Sequence, residues 1–355
     1  MDIRQMMMEA LGKKASDLHL TVGSPPVMRI DGELVRIGEA LLTNEDLGAL
    51  VRQVLTEGQL AHVDRVGEVD LSYSVKGFGR FRLNVYKQRG SYAMALRVVN
   101  LSIPTYEELG LPESLRELAR RPRGLVLVTG PTGSGKSTTL AAMIGQINRE
   151  RNCHIITLED PIEYLHHHKR AVVNQREINS DTETFGNGLR AALREDPDVI
   201  LVGEMRDLET ISIAITAAET GHLVLSTLHT MGAANTIDRI VDVFPPYQQQ
   251  QIRVQLAAVM EGIISQQLLP RADGKGRVGA FEVMLANNAI RNLTREGKTH
   301  QILTSIQTGQ KLGMQTMDYA LVDLYRRGTI TEETVMNRCV DIEQVRKDIR
   351  ALRGF

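Results

Sequence analysis

A wholly apolar run, LVLVT (125–129), leads directly into GPTGSGKS (130–137), and Leu140, Met143, Ile144 and Ile147 follow at i, i+3, i+4, i+7. Nothing else in the chain limits the fold so strongly. The run reads as a buried strand and the stripe as one face of a helix. Between them Gly130, Pro131, Thr132, Gly133, Ser134, Gly135, Lys136 and Ser137 satisfy G-x-x-x-x-G-K-[ST]. In that setting the glycines let backbone N–H groups curl around phosphates, and the helix N-terminus adds partial positive charge. Lys136 reaches the β and γ phosphates, the Ser137 hydroxyl is placed for Mg²⁺, and Thr138 continues the binding loop into the helix. An ATP- and Mg²⁺-binding unit is expected.

Three more apolar runs without polar alternation follow, HIITL (154–158), VILV (199–202) and HLVLS (222–226), separated by helical stretches. This is the pattern of a parallel sheet covered on both faces, and hence of an α/β domain. Ligands in such sheets sit beyond the carboxyl ends of the strands, and each run here ends in a polar cluster. The clusters are Glu159-Asp160-Pro161-Ile162-Glu163, Gly203-Glu204-Met205-Arg206-Asp207 and Thr227-Leu228-His229-Thr230. ATP hydrolysis needs a metal-holding acid and a group that orients or deprotonates water. Glu204 suits Mg²⁺ through water or acts as the base, Glu163 is the other base candidate, and the residues alone do not choose between them. Glu159 and Asp160 are expected beside the nucleotide. His229 reads as a γ-phosphate sensor, because a ring N–H donates to phosphate and loses its partner on release. His222, at the head of the same strand, is structural or a relay, and as a relay it counts among the nucleotide-site residues. The triplet His166-His167-His168 reads as an exposed loop in preference to a metal site, because three adjacent side chains converge poorly on one ion.

Before residue 100 the pattern differs. Short alternating stretches at 27–35 and 69–75, broken at Asp31-Gly32 and Lys76-Gly77, indicate a small α+β domain with antiparallel strands. Residues 76–97 hold Lys76, Arg80, Arg82, Lys87, Arg89 and Arg97 and no Asp or Glu. The run is either a solvated strand face or a source of arginines for nucleotide phosphates, and the residues leave both open. Overall 42 Lys plus Arg face 43 Asp plus Glu, and the chain has no Trp, 8 Tyr and 6 Phe. That composition lacks the basic excess and stacking aromatics of a dedicated nucleic-acid binder. No stretch has the roughly 18 consecutive apolar residues of a membrane span, and the first residues carry no apolar signal core, so a cytoplasmic protein is expected. Cys153 and Cys339 are distant in sequence, fit neither a disulfide framework nor a zinc site, and are expected to be buried thiols.

Together the motifs resemble the secretion ATPase superfamily, and within it the type IV pilus retraction ATPases. The likeness rests on SDLHLTVGSPPVMRIDGEL (16–34), GPTGSGKST (130–138), ITLEDPIEY (156–164), LREDPDVILVGEMRD (193–207), STLHT (226–230) and AIRNLTREGKTHQI (289–302). The last departs from the family's AIRNLIRE at Thr294, a polar change expected to cost little between Leu293 and Arg295. The resemblance implies a PAS-like N-terminal domain (1–100), a linker (101–112), a RecA-like P-loop ATPase domain (113–286) and a C-terminal helical region (287–355). It implies a hexameric ring in which Arg82 and Arg97 best match the N-terminal-domain arginines that reach the nucleotide. It further implies a motor at the cytoplasmic face of the inner membrane, peripheral and not inserted. Such a motor drives a membrane platform protein and so withdraws pilin from the filament base. Extension and type II secretion ATPases of the superfamily generally carry a longer N-terminal region and a tetracysteine zinc element. The two distant cysteines match retraction better. The alternatives are an extension, type II secretion or conjugation ATPase and a nucleotide-gated assembly scaffold. A non-hydrolysing scaffold has no need of Glu163 and Glu204.

Overall fold

A computed structural model of the chain describes residues 2–30, 32–75, 79–99 and 102–352. Asp31, Lys76 and Gly77 of the two expected turns lie outside this set, as does Leu101 at the start of the expected linker. The chain forms two compact units, one of Met1–Ser102 with Pro161–Leu165, the other of Ile103–Asp160 with His166–Phe355.

The first unit holds six strands, β1 (Asp17–Leu20), β2 (Val27–Ile30), β3 (Glu33–Arg36), β4 (Glu68–Val75), β5 (Gly79–Gln88) and β6 (Ser91–Val99). They form one antiparallel sheet in the order β3-β2-β1-β6-β5-β4. Alternation decides which face is covered. Phe81, Leu83 and Val85 of β5 are fully buried, whereas Arg82 between them is exposed. The buried face packs with Leu18, Leu20 and Leu96 against helices Ile3–Gly12, Asn44–Val54 and Glu57–Val66. Because side chains alternate with period two, a slip of one residue would send this apolar set to solvent and the arginines into the core. Thr43 and Thr56 start the second and third helices with capping boxes, each contributing about 1 kcal/mol.

The second unit is built on seven strands: β7 (Gly124–Thr129), β8 (His154–Glu159), β9 (Val172–Glu177), β10 (Val199–Val202), β11 (Leu223–Leu228), β12 (Met260–Pro270) and β13 (Arg277–Leu285). Their order is β13-β12-β7-β11-β10-β8-β9, parallel throughout except for the β12/β13 hairpin. The four expected apolar runs are the four central strands β7, β11, β10 and β8. Successive residues serve opposite faces: Leu125 and Leu127 join one apolar cluster, Val126 and Val128 the other. Helices Leu208–Glu219, Ala233–Asp242 and Pro246–Val259 cover the first face, and Glu113–Ala119 and Lys136–Glu150 the second. In one respect the sequence misleads. The helix after the glycine loop is not one-sided: Thr139, Ala141, Ala142, Gln146 and Asn148 are buried along with its apolar stripe.

The region after residue 287 is helical and belongs to the same compact unit. Helices Met317–Arg326, Glu332–Met336 and Ile342–Leu352 gather Leu321, Val335, Val345 and Ile349 around Leu269 and Ala280 of the hairpin. Helix Asn288–Arg295 is anchored by Arg291. Its guanidinium donates to the carbonyls of Ala257 (2.7 Å), Ala258 (2.9 Å) and Ala286 (3.1 Å) and pairs with Glu261 (2.9 Å). Thr294 on this helix is fully buried, not a surface position, and is tolerated because its hydroxyl donates to Ile290 O at 2.9 Å. Neither cysteine is fully buried, and burial pushes the Cys153 thiol up. Replacing Arg291 by Ala orphans several backbone carbonyls. It should cost about 2 kcal/mol, a drop of roughly 4–8 °C in thermal midpoint. Asn292→Ala on the exposed side of the same helix should leave the midpoint within a degree or so; equal losses would remove the anchoring role of Arg291.

Candidate active site

Strand β7 is buried along its whole length and delivers the chain to Gly130 at the carboxyl edge of the sheet. There the backbone turns through φ +142° at Gly130, +77° at Gly133 and +89° at Gly135, conformations only glycine adopts freely. Space is as restrictive as torsion. A Cβ at Gly130 would lie 2.3 Å from Gln266 O and 2.7 Å from Ser134 Oγ, so no side chain fits. The loop is pressed onto β12 and held there by one side chain. Gln266, 3% exposed, donates from Nε2 to Ser134 O (2.6 Å) and accepts from Thr139 Oγ1 (2.9 Å). Sequence reasoning missed Gln266; the available signal was a Gln pair inside the apolar run IISQQLL. Lys136 Nζ donates to the carbonyls of Gly130 (2.8 Å) and Pro131 (3.1 Å), so the ammonium lies along the loop. Ser134 Oγ is buried with no hydrogen-bond partner. Pro131, Thr132 and Gly133 are exposed, and Ser137 and Thr138 are half-buried at the helix start. An exposed crest of glycine-permitted backbone, an ammonium and hydroxyls at the helix start are the donors that phosphates need.

Three neighbouring strands end beside this loop. At the end of β10 Glu204 pairs with Arg206 and, through Oε1, lies 3.1 Å from His229 Nε2. His229 Nδ1 is in turn 3.5 Å from Thr132 Oγ1 of the loop. A chain of contacts therefore runs from the glycine loop through His229 to Glu204. Glu204 is the sheltered member, its side chain 18% exposed against 75% for Arg206. The Glu204 carboxylate foremost, with Asp160 adding to it, raises the Arg206 guanidinium, which is therefore charged at all working pH. Glu159, ending β8, accepts at Oε1 from Thr157 Oγ1 (2.6 Å) and Gln175 Nε2 (3.0 Å). A cavity of about 540 Å³ opens here, lined by Thr132, Glu204, Arg206, His229, Thr230 and Arg239. Arg239, on helix Ala233–Asp242, is a second cation that sequence reasoning did not single out. For a metal, the Ser137 hydroxyl and the Glu204 carboxylate are hard oxygen donors of the kind Mg²⁺ takes with phosphates and water.

Other expected residues are placed elsewhere. His222 precedes β11, and its backbone carbonyl accepts from Gly124 N at the start of β7. That is the opposite end of the sheet from the loop, about 20 Å of strand away. Its ring Nδ1 contacts Ala217 O (2.8 Å) at the end of helix Leu208–Glu219, a capping contact, so it is not brought to the nucleotide loop. Glu163 falls in Pro161–Leu165, grouped with the first unit, and is exposed; the cluster assembled in the second unit does not include it. The histidine triplet is not uniformly exposed. Burial, then the neighbours His167 and Lys169, push the His166 ring down to about 4, while His168 Nδ1 accepts from Val173 N (3.0 Å).

In the first unit Arg82 and Arg97 stand directly opposite each other across β5 and β6, on the exposed face. Neighbouring strands supply the acids missing from the run itself: Arg82 lies 3.8 Å from Asp70 and Arg97 3.0 Å from Asp17. Burial raises the Asp17 carboxyl, but hydrogen bonds from Ser16 and Arg97 outweigh it and leave it below the usual range. Lys87 pairs with Asp64 at 2.7 Å. The cationic run is thus partly compensated, and two arginines side by side remain on an open face.

A buried parallel sheet with a glycine-built anion loop, acids at adjacent strand ends and a histidine between them defines a P-loop nucleotide-binding α/β protein. The chain belongs to the Type II/IV secretion system protein family, whose model matches residues 1–350. It is 48% identical over 338 residues to the Type IV pilus retractation ATPase PilT of Pseudomonas aeruginosa, covering 95% of this chain and 98% of that one. It is also 48% identical to a twitching motility protein of Neisseria gonorrhoeae, over 90% of this chain and 86% of the relative. Among solved structures it superimposes with a TM-score of 0.92 on the pilus retraction motor PilT with bound ADP, at 50% identity and covering 98% and 99% of the two chains.

Removing the brace tests the site. Gln266→Leu keeps the volume but orphans Ser134 O and the Thr139 hydroxyl, and should weaken ADP binding about tenfold, near 1.4 kcal/mol, in a fluorescent-nucleotide titration. Unchanged affinity would mean that the glycines alone hold the loop.

Proposed function

We propose that this chain is the ATPase motor of type IV pilus retraction, working as a ring of six copies at the cytoplasmic face of the inner membrane on a membrane platform protein. The observation that carries the ATPase part is the Thr132–His229–Glu204 chain of contacts, which links the phosphate loop to a sheltered carboxylate at the end of β10. The retraction part is supported by likeness over nearly the whole length to proteins named for retraction and twitching. No helix among the described residues is long and apolar enough to cross a membrane, which suits peripheral docking.

The roles rest on the contacts around the glycine loop and, for Arg82 and Arg97, on the family resemblance. Backbone N–H groups of the loop and the ammonium of Lys136 bind the phosphates. Ser137 and Glu204, with water, would hold magnesium, which would supply charge neutralisation at the phosphate oxygens. Glu204 receives the proton of the attacking water, and sheltering favours it over exposed Glu163 for this task. His229, in contact with both the loop and Glu204, registers the γ phosphate and loses that partner on release. Glu159 and Asp160 orient groups at the neighbouring strand end, and Arg82 and Arg97 lend positive charge to the nucleotide phosphates.

Lys136→Ala and Glu204→Ala should each reduce phosphate release at least a hundredfold with the fold retained, as judged by circular dichroism. Wild-type release by the glutamate variant would remove Glu204 from the reaction. Arg82→Ala and Arg97→Ala should each slow turnover roughly tenfold or more. If both turn over normally, the pair is only a solvated face. In the tail, the exposed positions Asn292 and Arg295 are those whose replacement should spare ATPase activity and impair twitching; loss of both together would tie this face to catalysis.

A further inference from the structure

Glu282 lies in β13 on the strand face that packs against helix Ala233–Asp242, in the middle of a buried run, and is itself 6% exposed. A carboxylate in such a place needs strong partners. It is hydrogen-bonded by one backbone amide at a helix start and lies beside the start of a second helix. Oε1 accepts from Ala233 N at 2.8 Å, the first residue of helix Ala233–Asp242. The adjoining Val283 exchanges backbone hydrogen bonds with Gln315 (2.8 and 3.1 Å), which brings the start of helix Met317–Arg326 to the carboxylate, where the Met317 backbone favours its charged form. Burial pushes the Glu282 carboxyl up and the nearby Asp318 charge adds to this, while the positive ends of the two helix dipoles act against it and favour the carboxylate.

The first of these helices bears on catalysis. It begins three residues after Thr230, and Arg239 on it lines the same cavity as His229 and Thr230. The intervening turn is fixed at successive amides. Ser265, directly opposite Glu282 in the β12/β13 register, accepts from Gly232 N at 2.9 Å, and Glu282 accepts from the next amide. Thr236 then closes the turn, bonding Gly232 O (2.8 Å) and the Thr230 hydroxyl (2.7 Å). Neighbouring residues of one strand therefore serve two loops: Ser265 the histidine loop, Gln266 the phosphate loop. The second helix belongs to the C-terminal helices gathered around Leu321, Val335 and Val345.

We propose that Glu282 is a positioning residue for ATP hydrolysis, which fixes His229, Thr230 and Arg239 against Glu204 and makes their placement depend on the start of helix Met317–Arg326 in the C-terminal region. A shift of that helix start is transmitted through one carboxylate to the histidine loop, while the phosphate loop, braced separately by Gln266, stays in place. Glu282 touches no reacting atom. Its effect is on alignment, and so on kcat and not on nucleotide affinity.

The test compares Glu282→Ala and Glu282→Gln with the wild-type assembled protein, measuring ATP turnover, ADP affinity and amide hydrogen exchange. Glu282→Ala should lower kcat about tenfold with KM for ATP and Kd for ADP changed less than twofold, and Glu282→Gln, which keeps one acceptor oxygen, should recover part of the loss. Exchange should quicken together at the starts of helices Ala233–Asp242 and Met317–Arg326 and stay unchanged at the start of Lys136–Glu150. Wild-type kcat in both variants overturns the proposal, as does a loss of ADP affinity as large as the loss of kcat, or faster exchange at only one of the two helix starts. The proposal rests on the ATPase reading, and the two fail differently. Absence of turnover in the wild-type protein contradicts that reading, whereas normal turnover unaffected by Glu282→Ala contradicts this one.

Discussion

The glycine loop closes on strand β12, and the rest of the site depends on that contact. Gly130 has no room for a Cβ because Gln266 O is already there, and the Gln266 amide holds Ser134 O from the same strand. A loop with three glycines at positive φ would wander in isolation, since glycine loses more backbone freedom on folding than any other residue. Packing against a strand buried on both sides removes that freedom before a ligand arrives. Preorganisation of this kind lowers the cost of binding, because the amides need not be gathered at the moment of contact.

The same strand organises the second half of the site. Ser265 and Gln266 face opposite ways because side chains alternate along β12, so one reaches the turn after His229 and the other the loop before Lys136. The His229–Glu204 pair then spans the gap between loops that are each fixed from behind. In the first unit alternation sorts the residues by the same rule. It buries Phe81 and Leu83 and leaves Arg82, opposite Arg97, on the open face of its sheet.

Much of this was legible in the sequence, and the misses have physical causes. Short wholly apolar runs, each ending in a polar cluster and separated by helical stretches, fit the central strands of a covered sheet, so β7, β8, β10 and β11 could be read directly. The strands β9, β12 and β13 could not. VVNQRE is an edge strand with mixed exposure, and the polar residues of IISQQLL and AFEVML are buried for reasons that only tertiary contacts supply. The site residues fixed by local spacing, from Gly130 to Ser137, were readable for the same reason that the loop is local. Gln266 and Glu282 act on elements far away in sequence, and the Gln pair in IISQQLL or the Glu in AFEVML marks a buried polar position without naming its partner. His222, read at the head of the strand, lies there, and its contacts fit the structural alternative because the length of β11 separates it from His229. The cationic run 76–97 seemed uncompensated because Asp17, Asp64 and Asp70 lie outside it in sequence but within reach in space.

If the sheet edge carries an ATPase whose purpose is to withdraw filaments, the direction of its work is visible on the cell surface. Deleting the gene and counting filaments by electron microscopy, alongside a twitching assay, tests this most directly. A retraction motor predicts cells with abundant pili and no twitching. Bald cells would contradict the account, because they are the result of losing a motor that extends the filament.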